Sequence, residues 1–309
     1  MVNRVIKNRN NIIPFLGLVV AVVFFQVTSG GRLISGRNSV VLLNEVFNVV
    51  IGASGVLFLM AQGDLDFSMG AIVGLSGTVA AIASNHIAGL ALPVALITGF
   101  ACGAVNGLVC AGFGIPSFIT TLGMSFVLKG FMVMLLGSGS MGIPFELNEF
   151  DTTPIRFFTM LAVILICWAV FGYSRFGKQC SAVGSHPTVA KQSGINVFRT
   201  RFLGFAFSGL ACGLVSFFSI IRGGTVSTST GSGFEVNVLN AMMIGGMSIT
   251  GGWNSKYRYV IIGSLLMAVV SDGLSLWGID LMTQELIMGC IFIFAVAISF
   301  DRRSVAVIK

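Results

Sequence analysis

The sequence predicts an all-α membrane protein, a bundle of about ten transmembrane helices with broken or re-entrant segments near 63–68 and 112–118. Three observations carry this. Of 309 residues, 55% are hydrophobic and only 9% charged; soluble domains carry about 25% charged residues, so this chain lacks the polar surface needed to face water. Apolar runs near the roughly 20 residues that a helix needs to cross hydrocarbon recur along its whole length. Glycine supplies 40 residues, about twice its usual share, and small residues let helices approach closely in lipid.

The runs place spans at 12–28, 40–61, 68–84, 88–111, 117–137, 156–172, 203–221, 235–250, 259–276 and 283–300. The first follows a basic segment, as a signal peptide would, but has no small-x-small cleavage site and is kept as a span. No soluble domain interrupts the series, so 1–309 reads as a single transmembrane domain. An even number of spans puts both termini on one side. With the termini inside, thirteen basic residues fall in inside segments and four (Arg32, Arg37, Arg156, Arg222) outside, with Lys129 in a span. That excess predicts cytoplasmic termini by the positive-inside rule. The net charge of +7 is thereby a loop property and gives no nucleic-acid surface.

Two segments break the pattern. Gly63-Asp64-Leu65-Asp66-Phe67-Ser68 places two carboxylates between apolar runs, and Gly112-Phe113-Gly114-Ile115-Pro116 interrupts another with glycines and a proline. Irregular backbone at membrane depth persists only where protein or a wet cavity covers it, so both point to a pathway. Asp64 and Asp66 admit two roles: capping the helix that starts near Ser68, where negative charge suits the helix end, or contacting a solute or ion. Glu235, at the start of a later span, admits the same two. Pro116 starts a helix whose first turn, with Phe118 and Thr120, either lines the pathway or simply opens an ordinary span. Asn44, Asn106, Asn237 and Asn240 offer partners to a hydroxylated solute and serve interhelical hydrogen bonding equally well. Gly245-Gly246 and Gly251-Gly252 faintly echo the glycine-rich turn at 63–68.

The longest inside loop, 173–201, carries five basic residues, and Pro187 followed by Thr188–Ser193 predicts a short helix ended by Gly194. Catalytic and cofactor chemistry finds no motif. The two histidines, His86 and His186, have no metal-ligand spacing; no nucleotide loop, nucleophile elbow or paired-cysteine motif is present. The six cysteines read as small packing residues. The expected chain is therefore not an enzyme, and uphill transport would draw on an ion gradient or a partner.

Four blocks then resemble a known family in order. Gly63–Gly70 resembles the G-G-I-D-L-S-V-G signature of permease subunits of bacterial ABC importers for simple sugars, of the ribose, xylose and autoinducer-2 type. Ile115–Gly123 is similar to that family's V-P-P-F-I-V-T-L-G. Ala182-Val183-Gly184-Ser185-His186-Pro187 through Val197 is similar to its cytoplasmic loop, with Ser185 and His186 where Gly and Asn are usual. Gly233-Phe234-Glu235 and Ile244–Gly252 resemble its last block. The resemblance implies a permease in the bacterial cytoplasmic (inner) membrane, paired with a second copy or a related permease. It implies separate ABC ATPase subunits that hold ATP and Mg, with no cofactor on this chain, and an extracytoplasmic solute-binding protein. The ATPase would couple through Gly184, Ser185, His186, Pro187, Thr188, Ala190 and Gly194. Asp64, Asp66, Ser68, Pro116, Phe118, Thr120, Glu235, Asn237 and Asn240 are the expected pathway and gating residues. An ion-coupled secondary transporter, with Asp66 or Glu235 as ion site, is the alternative.

Overall fold

The computed structural model describes residues 2–137 and 139–299. The chain is helical almost throughout: α1 (Val2–Thr28), α2 (Gly36–Ala61), α3 (Met69–Ser84), α4 (Ala91–Phe113), α5 (Ser117–Leu136), α6 (Thr153–Tyr173), α7 (Arg175–Ser185), α8 (Pro187–Gln192), α9 (Val197–Gly223), α10 (Phe234–Ile244), α11 (Arg258–Leu276) and α12 (Leu281–Ser299). Among the described residues α2, α4, α5, α6, α9 and α11 are long and apolar enough to cross a membrane, and α1, α3, α10 and α12 supply shorter apolar helices. Each of the ten expected spans overlaps one of these helices, and six of those helices have the length and apolarity of a crossing. The last one was expected to reach residue 300, which, like the basic Arg302, Arg303 and Lys309, lies outside the described residues.

The ends of these helices follow local chemistry. Ser35, Ser174 and Asn196 cap α2, α7 and α9 by accepting the amides of Asn38, Gly177 and Arg199. Gly114 ends α4 and Gly224 ends α9 at φ of +67° and +64°, left-handed values at which a Cβ would be strained. Pro116 precedes α5 in an extended conformation.

The most buried span is α9, with 78% of its apolar stretch covered, packed on α4, α2 and α3; α2 and α11, which pack on each other, bury 61% each, whereas α6 buries only 17% and turns its apolar face outward. The tightest crossing is between α4 and α9. A Cβ on Gly103 would stand 2.9 Å from the Gly209 Cα, and one on Gly99 2.8 Å from the Gly213 Cα. Glycines at intervals of four on both helices therefore bring backbone onto backbone.

At one end, a two-stranded antiparallel ribbon of β1 (Ser140–Gly142) and β2 (Thr225–Ser227) ties the α5–α6 linker to the α9–α10 linker. Close by, Arg156 in the first turn of α6 is buried. It pairs with Asp151, donates to Asn44 Oδ1 of α2 at 2.9 Å and Phe218 O of α9 at 3.3 Å, and lies against the Phe47 and Phe218 rings. At the opposite end α7 and α8 form an elbow.

Two expectations need correction. The span predicted at 235–250 is helical only as far as Ile244, because Gly246, Gly251 and Gly252 take φ of +105°, +65° and +89° and unwind the chain. The break predicted at 112–118 is narrower: Phe113 is still in α4, Ser117 already in α5, and only Gly114–Pro116 is irregular.

Candidate functional site

The two breaks singled out by sequence dock on each other. The segment from Gln62 to Ser68 runs between α2 and α3, and its amides find partners on the first turn of α5: Leu65 N donates to Ser117 Oγ at 3.2 Å and Phe67 N to Thr121 Oγ1 at 3.1 Å. The Phe67 ring meets the half-exposed Phe118 ring edge-on at 5.3 Å. Pro116 thus positions a turn whose hydroxyls supply what an irregular buried backbone lacks. Thr120, on the same turn, is buried with its Oγ1 free of any partner among the described residues.

Asp66 is fully buried. Its Oδ1 accepts from Ser68 N at 2.9 Å and Ser68 Oγ at 2.6 Å, and its Oδ2 from Ser208 Oγ of α9 at 3.2 Å. Asn106 of α4 donates to Ser68 Oγ at 2.7 Å. One carboxylate therefore gathers the start of α3, α4 and α9 around the break through four polar groups. Its position two residues before the N-cap Ser68 means that it orders the turn entering α3. Asp64, also buried, instead pairs with the half-buried Arg201 in the first turns of α9, with Oδ2 and Nε 3.2 Å apart. The two acids have separate duties: Asp66 knits the interior, Asp64 ties the break to the helix that follows the elbow.

A third irregular stretch, which the sequence reading missed, enters beside α3. After β2 the chain turns inward along α3: Thr230 O approaches Gly74, and Gly231 and the Glu235 carboxylate lie against Gly70. Only glycine at positions 70 and 74 leaves room for this approach. Gly231 and Gly233, at φ of +82° and +75°, bend the chain into α10. The signal was present in the run Thr228-Ser229-Thr230-Gly231-Ser232-Gly233, small and polar before an apolar helix. Asn237 follows, half-buried, one turn into α10. Asn240 does not join the group; its Nδ2 donates to Met288 O of α12 at 3.0 Å, so it holds two helices together.

The fourth stretch, residues 245–257, lies under the break. Gly252 N donates to Ala61 O at the end of α2 at 2.9 Å, and a Cβ on Gly63 would stand 3.1 Å from Thr250 O. The faint glycine echo between the two turns is a physical contact. The elbow rests on the same place: Trp253 N donates to Ser185 Oγ at 3.0 Å, and a Cβ on Gly184 would meet the Gly252 amide at 2.7 Å.

The predicted short helix is α8, started by Pro187 and closed by Gly194 at φ +83°, with Gly194 N and Ile195 N returning to Lys191 O and Ala190 O. Ser185, His186, Pro187, Thr188 and Val189 are exposed along its leading edge, while Ala190 is buried. Gly184 packs inward, Ser185 is exposed yet its Oγ is engaged by Trp253 N and Ser181 O, and His186 to Thr188 face solvent. α7 was not expected as a helix; its glycines hid an amphipathic turn capped by Ser174. Cys180 on its inner side is buried beside Gln62, and burial pushes its thiol up to about 12.

No group of three or more His, Cys, Asp or Glu that could hold a metal occurs among the described residues. What the site offers is hydroxyls, amides and bent backbone gathered inside a helical bundle, the make-up of a membrane permease. Residues 39–296 match a family model described as "Branched-chain amino acid transport system / permease component", and the chain belongs to this permease family. It is 31% identical to a fructose import permease protein of Rhizobium meliloti over 95% of this chain and 86% of that protein. Identity is 27% to a ribose import permease protein of Escherichia coli K12, over 84% and 87%. It is 31% to an L-arabinose ABC transporter permease protein of Azospirillum brasilense, over 87% and 81%. No solved structure matches the chain at a comparable level of significance.

Proposed function

We propose that this chain is the transmembrane permease subunit of an ATP-binding-cassette importer that forms the pathway for a monosaccharide or similar small polar solute. One observation carries the reading: relatives aligned over 84–95% of the chain are named as import permeases for fructose and ribose and as an L-arabinose ABC transporter permease. The family description names branched-chain amino acids, but the groups around the break favour a sugar. They are mostly neutral hydroxyls and amides; of the carboxylates beside them, Asp66 is committed to protein donors and Asp64 is paired with Arg201, while Glu235 lies against Gly70. A zwitterionic amino acid would call for a fixed pair of opposite charges.

The whole of 1–309 is one permease domain. The four shorter apolar helices add to the six long ones to make about ten crossings of a bacterial cytoplasmic membrane, with both termini and the 173–201 elbow in the cytoplasm. A separate ABC ATPase holds ATP and Mg and docks on the exposed edge from His186 to Thr188. An extracytoplasmic binding protein delivers the solute at the ribbon end, and a second permease copy or a related chain completes the pathway. Closure of the ATPase pair moves the elbow and rocks the bundle as packed rigid bodies.

Reconstitution into liposomes tests this. Radiolabelled sugar should accumulate only when ATPase, ATP and binding protein are all supplied. Accumulation by the purified chain alone under an imposed proton or sodium gradient would reject the reading in favour of the ion-coupled carrier.

A further inference from the structure

At the elbow end, on the far part of the fourth stretch, a cleft of about 400 Å³ opens between the end of α6, the start of α7 and residues 253–257. Lys178 and Lys256 line it; no Asp or Glu does, and neither lysine makes an ion pair among the described residues. Two ammonium groups therefore face a space with no counter-charge.

The hydroxyls of the lining have a definite polarity. Ser181 Oγ donates to Gly177 O at 3.3 Å and Ser255 Oγ to Gly252 O at 2.7 Å. With these protons turned inward, both serines present lone pairs to the cleft and accept. A ligand that suits the lining thus brings negative charge for the lysines and hydroxyl donors for the serines. A phosphodiester bearing a polyol meets both demands.

The cleft also has a greasy approach. Leu161, Leu165 and Trp168 of α6 are exposed by 38%, 53% and 47%, and their spacing puts them on one helix face that leads to the cleft. Trp168 and Tyr173 pair edge-on at 5.3 Å at its mouth, and Trp253 stands exposed across from them. Aromatic rings of this kind sit at headgroup depth.

We propose that the cleft is a binding site for an anionic glycerophospholipid of phosphatidylglycerol type. The phosphate is met by Lys178 and Lys256, the headgroup glycerol donates to Ser181 and Ser255, and an acyl chain follows the α6 stripe. The bound lipid joins the α6–α7 corner to the segment that carries Trp253, whose amide holds Ser185 of the elbow. Basic recesses between helices are suited to such headgroups. A soluble phosphate ester shares the headgroup chemistry but makes no use of the stripe.

The chain has three tryptophans, and Trp277 packs far from the cleft, against Phe24 and Phe25. A Trp277→Phe variant leaves the two cleft indoles as the only tryptophans, excited selectively at the red edge where tyrosine does not absorb. In mixed micelles, brominated phosphatidylglycerol should quench them with about tenfold higher apparent affinity than brominated phosphatidylcholine. Lys178→Gln combined with Lys256→Gln should bring that ratio close to one, while millimolar glycerol 1-phosphate should leave quenching unchanged. Equal quenching by both lipids, no quenching by either because a protein covers the cleft, or a ratio unaffected by the lysine changes would overturn the proposal. Competition by glycerol 1-phosphate would overturn the lipid as source in favour of a soluble ester. If the lysine variant does not fold, the comparison of the two lipids on the Trp277→Phe protein decides alone.

Discussion

The hydroxyl of Thr121 accepts the amide proton of Phe67 at 3.1 Å, so a side chain in the first turn of α5 completes the backbone of the break between α2 and α3. Ser117 does the same for Leu65. Two stretches of irregular chain, 54 residues apart at this bond, are each other's covering.

Replacing both hydroxyls, Ser117→Ala with Thr121→Val, leaves two amides without partners. Each buried unpaired donor costs about 1–3 kcal/mol. The variant should insert normally yet unfold several degrees earlier in detergent, and either single change should give roughly half the shift. An unchanged melting temperature would mean that the break does not depend on α5.

Gly103→Leu or Gly209→Leu should prevent α4 from seating on α9, since even a Cβ at Gly103 would stand 2.9 Å from the opposing Cα. Size-exclusion chromatography should show aggregate. Gly123→Ala on α5 is the control: no atom lies within 4 Å of the added methyl, and removing a helical glycine should leave stability equal or higher by up to about 1 kcal/mol.

A protein retaining Cys180 as its sole cysteine should resist maleimide at pH 8. With its pKa raised to about 12, roughly one molecule in ten thousand carries the reactive thiolate. Because the shift is upward, labelling should rise with pH and remain slow throughout the range in which the protein is folded. Dodecyl sulfate should release it at once. Rapid labelling of native protein would show that α7 does not pack on Gln62.

Arg156→Met removes the ion-pair partner of Asp151, together with two interhelical hydrogen bonds. Asp151 keeps access to water, so the loss is expected to be about 1–3 kcal/mol, mainly from the Asn44 and Phe218 acceptors left unpaired. Arg156→Met with Asp151→Asn should recover part of the loss, which a double-mutant cycle in mild denaturant would measure.

Gly194→Val forces a branched residue to φ +83°, at about 1–2 kcal/mol of local strain, in a spot with open space around it. The bundle should remain folded while co-purification of the ATPase falls severalfold. Normal co-purification would remove α8 from the docking edge.

Most of the helices were legible because lipid imposes a simple rule of length and apolarity. Met69–Ser84 and Leu281–Ser299 fall within two residues of their expected starts. The breaks at 63–68 and 114–116 were legible because Asp, Gly and Pro are costly inside hydrocarbon. The end of α10 was not, since Met242–Ile249 is equally apolar whether helical or unwound; only the φ values of Gly246 and Gly251 reveal the difference. Asn240 and Asn106 looked alike in sequence. Which partner an amide meets, Met288 O or Ser68 Oγ, depends on how helices far apart in the chain come together.

The carbonyl of Ala61 deserves a mechanical reading. It takes the Gly252 amide, and Gly184 presses on both groups from the elbow. Three distant parts of the chain thus bear on a single peptide at the foot of α2. Anything that shifts the elbow must either carry that peptide along or rupture the bond, so motion started outside the membrane arrives at the break as a displacement and is not dissipated in soft lipid. A helix with a side chain at residue 184 would stand off by the width of a methyl group, and that slack would let the two ends of the machine move independently.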